Sequence, residues 1–240
     1  MKQLWPVLVF MLVVPTITPA YELATHGWMT NAAYERSALR VDPDLLVALG
    51  IAELKDGLGE AYFDVSGNTV QVRSKTTFEE SNRKMPPGVN PLSIPGWLMR
   101  GAIREDDVPW PVGDNPQDDP YGSIFRVRNH FYDPVNNQPL TVGNGLGDIA
   151  PQWAIGSSNV FSNRNNPNPY RRNHFTVFDA REAMYRALTG RDVSGDPVAA
   201  TEAERNKYWA TTFRALGDVA HLLQDMGQPQ RRTQRPESVL

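Results

Sequence analysis

Apolar positions recur at helical spacing in several stretches of the chain, and each carries its own boundary signals. From about Ala203 to Asp225, Trp209, Phe213, Leu216, Ala220 and Leu223 fall three or four residues apart, as they would on one face of a helix. HFTVFDAREAMYRALTG, following Asn173, brings Phe175, Phe178, Met184, Tyr185 and Leu188 near one stripe and stops at Gly190, a residue type that ends helices in the left-handed conformation. Asp42 and Pro43 read as an N-cap with proline at the first helical position, leading into DLLVALGIAEL. These stripes predict helices that face a common core.

One segment has a different period. AYFDVSGNTVQVRS alternates apolar and polar residues around Ser-Gly-Asn, which predicts a small β-hairpin inserted between helices as an ornament. Stretches rich in Pro, Gly and Asn at 85–97, 108–122 and 139–170 predict long functional or mobile loops. GNGLGD at 143–148 lacks the Gly-Lys-Ser/Thr ending of a phosphate-cradling loop and reads as a plain turn. The fold class expected is mainly α, a multi-helix domain with long loops and a small hairpin.

Composition narrows this picture. At 240 residues the chain suits one domain, and a formal net charge of -3 from interspersed acids and bases gives no large basic face for DNA. MKQLWPVLVFMLVVPTITPA has the form of a secretory signal peptide, with Lys2, an apolar run from Leu4 to Val14 and small residues at Thr18 and Ala20. Cleavage after Ala20 would leave a secreted or periplasmic domain, 21–240, that starts at Tyr21. An exported chain without cysteine cannot be held by disulfides, so it must rely on packing or on metal.

The histidines carry the candidate chemistry. His221 and Asp225 are four apart on the last predicted helix, where an imidazole nitrogen and a carboxylate oxygen can reach one cation; alone, this spacing more often makes a hydrogen-bonded surface pair. His130 lies in RNHFYDP among aromatic residues that would pack around a buried ring. Asp106 lies in GAIREDD after an apolar helix starting near Trp97, and His26 opens a helix-like THGWMTNAAYERS. His174 reads as a capping or packing residue.

Taken together and in order, THGWMTNAA, GAIREDD, NHFYDP and HLLQDMGQP resemble the superfamily of zinc-dependent phospholipases C and S1/P1 nucleases. The resemblance spans about residues 21 to 230. It implies that Asp106, His130, His221 and Asp225 hold one zinc, with Asp225 bridging to a second. The second zinc would take His26 with the amine and carbonyl of Tyr21. Two such ions lower the pKa of a bridging water toward about 7 and hold a phosphodiester for in-line attack, with Asp106 supporting water activation. HFYDP is similar to the phospholipase C form, which implies a phospholipid head group as substrate and a monomeric enzyme. The alternatives are a single-strand nuclease, suggested by the Tyr21-to-His26 offset and DMGQP, and a non-catalytic secreted member of the fold.

The pattern then departs from the family. A histidine expected six residues after Asp225 is replaced by Arg231, and no further histidine follows, so ligands for a third zinc are missing. The family motif QPQHTRND suggests a cause: TQRP, written ACG CAA CGA CCC, reads Arg-Asn-Asp when shifted by one base. A frameshift after Gln230 that removes the C-terminal helices is expected, with a true His-to-Arg replacement as the alternative.

Overall fold

The computed structural model describes residues 22–51, 57–63, 67, 69–71, 84–106, 126–139, 149–156 and 173–227. The expected signal segment 1–20, Tyr21, the expected loop at 108–122, GNGLGD and residues 228–240 with Arg231 lie outside the described residues. Within them the protein is mainly helical, with one two-stranded antiparallel sheet. In chain order the elements are α1 (Leu23–Tyr34), α2 (Ala38–Val41), α3 (Pro43–Ala48), β1 (Ala61–Phe63), β2 (Thr69–Gln71) and α4 (Ile94–Arg104). A 3-10 turn at Arg126–Asn129, α5 (Ala150–Ile155), α6 (Val177–Thr189) and α7 (Glu202–Met226) follow.

Local sequence accounts for the helix boundaries. The Asp42 side chain accepts from the Asp44 and Leu45 amides to start α3. Thr176 with Asp179, and Thr201 with Glu204, form reciprocal capping boxes that start α6 and α7. Gly190 ends α6 at φ 69°, in the left-handed region. Helix α1 begins at Leu23, so His26 sits beyond its first residues, and α4 begins at Ile94, ahead of the predicted start at Trp97.

Three packing expectations need correction. On α6 the buried residues are Asp179, Ala180, Ala183 and Ala187, whereas Met184, Tyr185 and Leu188 are exposed. Small side chains on that face let α6 approach α7 closely, and this outweighs the larger apolar stripe. On α7, Trp209 and Phe213 are buried as expected, but Leu216 is exposed and Leu223 is 61 % exposed. The hairpin is no ornament. All three β1 residues are buried, Tyr62 and Phe63 join the core with Trp97, Phe175 and Tyr208, and Thr211 of α7 bonds to both the amide and the carbonyl of Phe63.

The C-terminal half of α7 buries a polar stripe. Arg214, Asp218, His221 and Asp225, spaced by four, three and four residues, share its buried face. Arg126 pairs with both Glu105 and Asp218, Arg214 Nε donates to Asp218 Oδ2 at 2.9 Å, and Trp153 Nε1 donates to Glu105 Oε1 at 2.8 Å. Two guanidiniums thus balance two carboxylates away from water, which offsets the several kcal/mol that an unpaired buried ion would cost. Burial opposes the charge on Glu105, yet the Arg126 guanidinium holds its carboxyl well below the usual range. The network fixes Glu105, and with it the neighbouring Asp106, at the end of α4.

Helices α4 and α7 cross at backbone contact through Gly101 and Gly217. A Cβ on Gly217 would lie 2.0 Å from the Leu98 carbonyl oxygen, and one on Gly101 would lie 2.1 Å from the Arg214 carbonyl oxygen. Only glycine permits this approach. It brings the C-terminal end of α4 alongside the His221 to Asp225 face of α7.

Candidate metal centre

Four separate pieces of chain meet at the polar end of α7. His26 comes from α1, Asp106 from just past α4, His130 from just past the 3-10 turn, and His221 and Asp225 from α7. His26, His130, His221 and Asp225 are all buried, and Asp106 keeps 24 % of its side chain exposed. The sequence-predicted residues that fall among the described ones are therefore brought together. His174, buried ahead of α6, belongs to neither donor group described below.

Two sets of donors could each hold a metal ion: Asp106, His130 and His221 in one, and His26, His221 and Asp225 in the other, with the donor atoms of each set within 4.8 Å of one another. Two donors at about 2.0–2.1 Å from one tetrahedral ion lie about 3.3 Å apart. The observed donor separations lie at that value or up to 0.4 Å above it. His130 Nδ1 is 3.3 Å from Asp106 Oδ1, and His221 Nε2 is 3.7 Å from Asp106 Oδ2 and 3.5 Å from Asp225 Oδ2. His26 Nε2 is 3.6 Å from Asp225 Oδ1. Most of these distances exceed a good hydrogen bond and suit a shared cation. His130 Nδ1 and Asp225 Oδ2, at 3.0 Å, form a direct hydrogen bond.

The two oxygens of Asp225 face different partners. Oδ2 faces His130 and His221, while Oδ1 faces His26. A carboxylate so placed can contribute one oxygen to each of two ions. The His26 and His221 rings stack with centroids 3.8 Å apart and planes 18° from parallel, and the His130 ring meets His221 edge-on at 4.8 Å.

Backbone chemistry fixes how His221 presents itself. Its Nδ1 lies 2.6 Å from the Ala102 carbonyl oxygen, which can only accept, so Nδ1 carries the proton and Nε2 of the neutral ring keeps its lone pair. That lone pair faces Asp106 and Asp225, and Nε2 makes no hydrogen bond among the described residues. The donor chemistry therefore fits a divalent cation that takes neutral imidazole and carboxylate. Sequence reasoning missed Ala102, Gln224 and Glu105 as supports of the histidines. The spacing from Arg214 through Asp225 was the available signal for a buried polar stripe.

Charge on the histidines follows from burial and from the neighbouring carboxylates. Burial, and then the neighbouring His221 ring, push His26 down to about 4 against the upward pull of Gln224 and Asp225. Burial also opposes charge on His130, but its hydrogen bond to Asp225, with the Glu105 and Asp106 carboxylates beside the ring, pushes it up to about 10. Burial works against the Asp225 charge, yet His130 and His221 hold that carboxyl below its usual range.

Opposite pH dependences result. An unfolded histidine titrates near 6.5. His130, raised on folding, adds stability that is fully present below about pH 6.5 and is lost as pH rises through about 10. His26, lowered on folding, adds stability present above about pH 6.5 and lost as pH falls through about 4. Each slope is at most about 1.4 kcal/mol per pH unit. Melting of the chelator-treated chain is therefore expected to be highest near neutral pH. A cation held by His130 would remove the alkaline decline, because it would replace the His130 proton and release it on binding. Calorimetric titrations in buffers of different ionisation heat read the proton directly; a metal-free melting temperature that climbs from pH 7 to 9 would contradict the assignment.

No helix among the described residues is long and apolar enough to cross a membrane. Comparison of the chain with protein-family models, curated proteins and solved structures finds no match, so the candidate site stands on its own geometry and chemistry.

Proposed function

We propose that this chain is a secreted zinc-dependent phosphoric diester hydrolase of phospholipase C type, on the scaffold shared with the S1/P1 nucleases. The observation that supports this most is the pair of donor sets that share His221 and are joined by the two oxygens of Asp225. Asp106, His130, His221 and Asp225 would hold one zinc, and His26 with Asp225 would contribute to the second, completed by Tyr21 at the mature N-terminus. Zinc held there supplies a Lewis acid that lowers the pKa of water toward about 7 and offsets charge on the phosphoryl oxygens.

The chain's own residues do the rest. His26, His130 and His221 are buried and keep the donor face dry, which strengthens every electrostatic interaction inside it. Asp106 is the one member with appreciable exposure, so its carboxylate stands where a substrate would arrive and can orient a water or take its proton. Glu105, Trp153 and Arg126 keep that carboxylate from swinging away by fixing the end of α4. A phospholipid head group is the favoured diester.

Metal analysis of the purified full chain, coupled to hydrolysis assays on phosphatidylcholine and on single-stranded DNA, tests the reading. Close to two zinc ions per chain with lipid hydrolysis is the expected result. Faster cleavage of DNA would move the assignment to the nuclease class, zinc without hydrolysis would make the chain a non-catalytic member, and absence of both zinc and hydrolysis would end the reading.

A further inference from the structure

The His26 position has a support of its own that lies outside both donor sets. His26 Nδ1 lies 2.7 Å from Gln224 Oε1, and Gln224 Nε2 donates to Thr30 Oγ1 at 2.9 Å. Thr30 is buried on the same helix as His26, one turn further on, so α1 supplies both the ring and the group that clamps the carboxamide. Gln224 immediately precedes Asp225, the carboxylate that faces His26 Nε2 at 3.6 Å. One residue pair of α7 thus addresses both nitrogens of one imidazole.

We propose that Gln224 is a positioning residue for the second metal position: its carboxamide, clamped by Thr30, fixes His26 as the Nδ1–H tautomer and thereby sets how tightly that position holds its cation. The inference rests on the metal-centre reading above. A carbonyl-type oxygen accepts from Nδ1–H and leaves the Nε2 lone pair directed at the Asp225 side, where a cation would be shared. The orientation of the amide decides the outcome. With Nε2 of Gln224 engaged by Thr30, Oε1 is the atom left for His26. Turned the other way, the amide would donate to His26 Nδ1 and force the proton onto Nε2, which would block coordination.

Two readouts on the full chain separate this from the wider reading. Long-range nitrogen–proton NMR of the metal-free protein is expected to show His26 as the Nδ1–H tautomer. Gln224→Leu should shift it toward Nε2–H, and Gln224→Glu, which keeps an acceptor, should retain Nδ1–H. Equilibrium titration with zinc alone should show that Gln224→Leu weakens, by about 10- to 100-fold, the equivalent that is lost in His26→Ala, and leaves the other within about two-fold. Gln224→Glu should hold both equivalents near wild type, and Thr30→Val should weaken only the His26 equivalent by a smaller factor. A wild-type Nε2–H tautomer overturns the proposal, as does unchanged affinity in Gln224→Leu or equal weakening of both equivalents in Gln224→Glu. If the wild-type chain binds no zinc, the metal-centre reading fails while the tautomer measurement still decides the role of Gln224.

Discussion

Gly217→Ala is expected to destabilise the protein by at least about 2–3 kcal/mol and to weaken zinc binding at the same time, although alanine is the better helix former. In an exposed helix interior the substitution would gain about 1 kcal/mol. Here the added Cβ would stand 2.0 Å from the Leu98 carbonyl oxygen and 2.9 Å from Gly101 Cα. Both obstacles are backbone, so no side-chain rotation can relieve the overlap, and α4 must withdraw from α7. The His221 Nδ1 bond to the Ala102 carbonyl oxygen, 2.6 Å long, is made across this same crossing, and Asp106 follows the end of α4. Withdrawal therefore releases the His221 tautomer and moves an acidic donor together. Urea denaturation in chelator, followed by zinc titration of the same variant, measures both effects. A variant that unfolds and binds like wild type would mean that the crossing is not what positions the site.

Asp225→Asn tests the bridge with almost no change of shape. The wild-type carboxylate presents Oδ2 to His130 and His221 and Oδ1 to His26. Converting one oxygen to an amide nitrogen removes the negative charge and leaves at most one oxygen to donate, so both metal positions should suffer. Loss of an outer support typically weakens a metal site about 10- to 100-fold. On the proposed reading, loss of a shared direct donor should exceed that, with any diesterase activity reduced by at least about 100-fold and the zinc content lowered by at least one ion per chain at micromolar zinc. The metal-free form should also lose stability, because His130 hydrogen-bonds to this carboxylate with the rest of its ring buried. Unchanged zinc stoichiometry in the asparagine variant would reject the bridging role.

Both predictions turn on residues whose importance is only partly visible in one dimension. The HxxxD spacing is readable as a helical face, and the structure does place His221 and Asp225 together on buried α7. Nothing local says whether that face meets solvent or other donors. The order of the four motifs suggested their association through a family resemblance, and His26, Asp106 and His130 do converge on α7. The supports were not legible in the same way. Gln224 meets His26 across 198 residues and the Ala102 carbonyl meets His221 across 119, and neither residue type advertises such a role. The hairpin was recognised by its alternation, but its burial against Thr211 was missed because periodicity describes a strand's faces without saying what covers them.

Sequence alone determined the predominance of helix, the Asp42 cap of α3, the end of α6 at Gly190, and the pairing of His221 with Asp225 on one face. Each depends on side chains acting on backbone within a turn or two. Tertiary structure decided that alanines rather than Met184, Tyr185 and Leu188 form the inner face of α6, and that the inner face of late α7 is polar. It also decided that two glycines set the distance between α4 and α7. The physical reason is common to all three. Burial is a property of a pair of surfaces, so the size and charge a face can carry depend on how closely its partner approaches and which groups that partner offers in return.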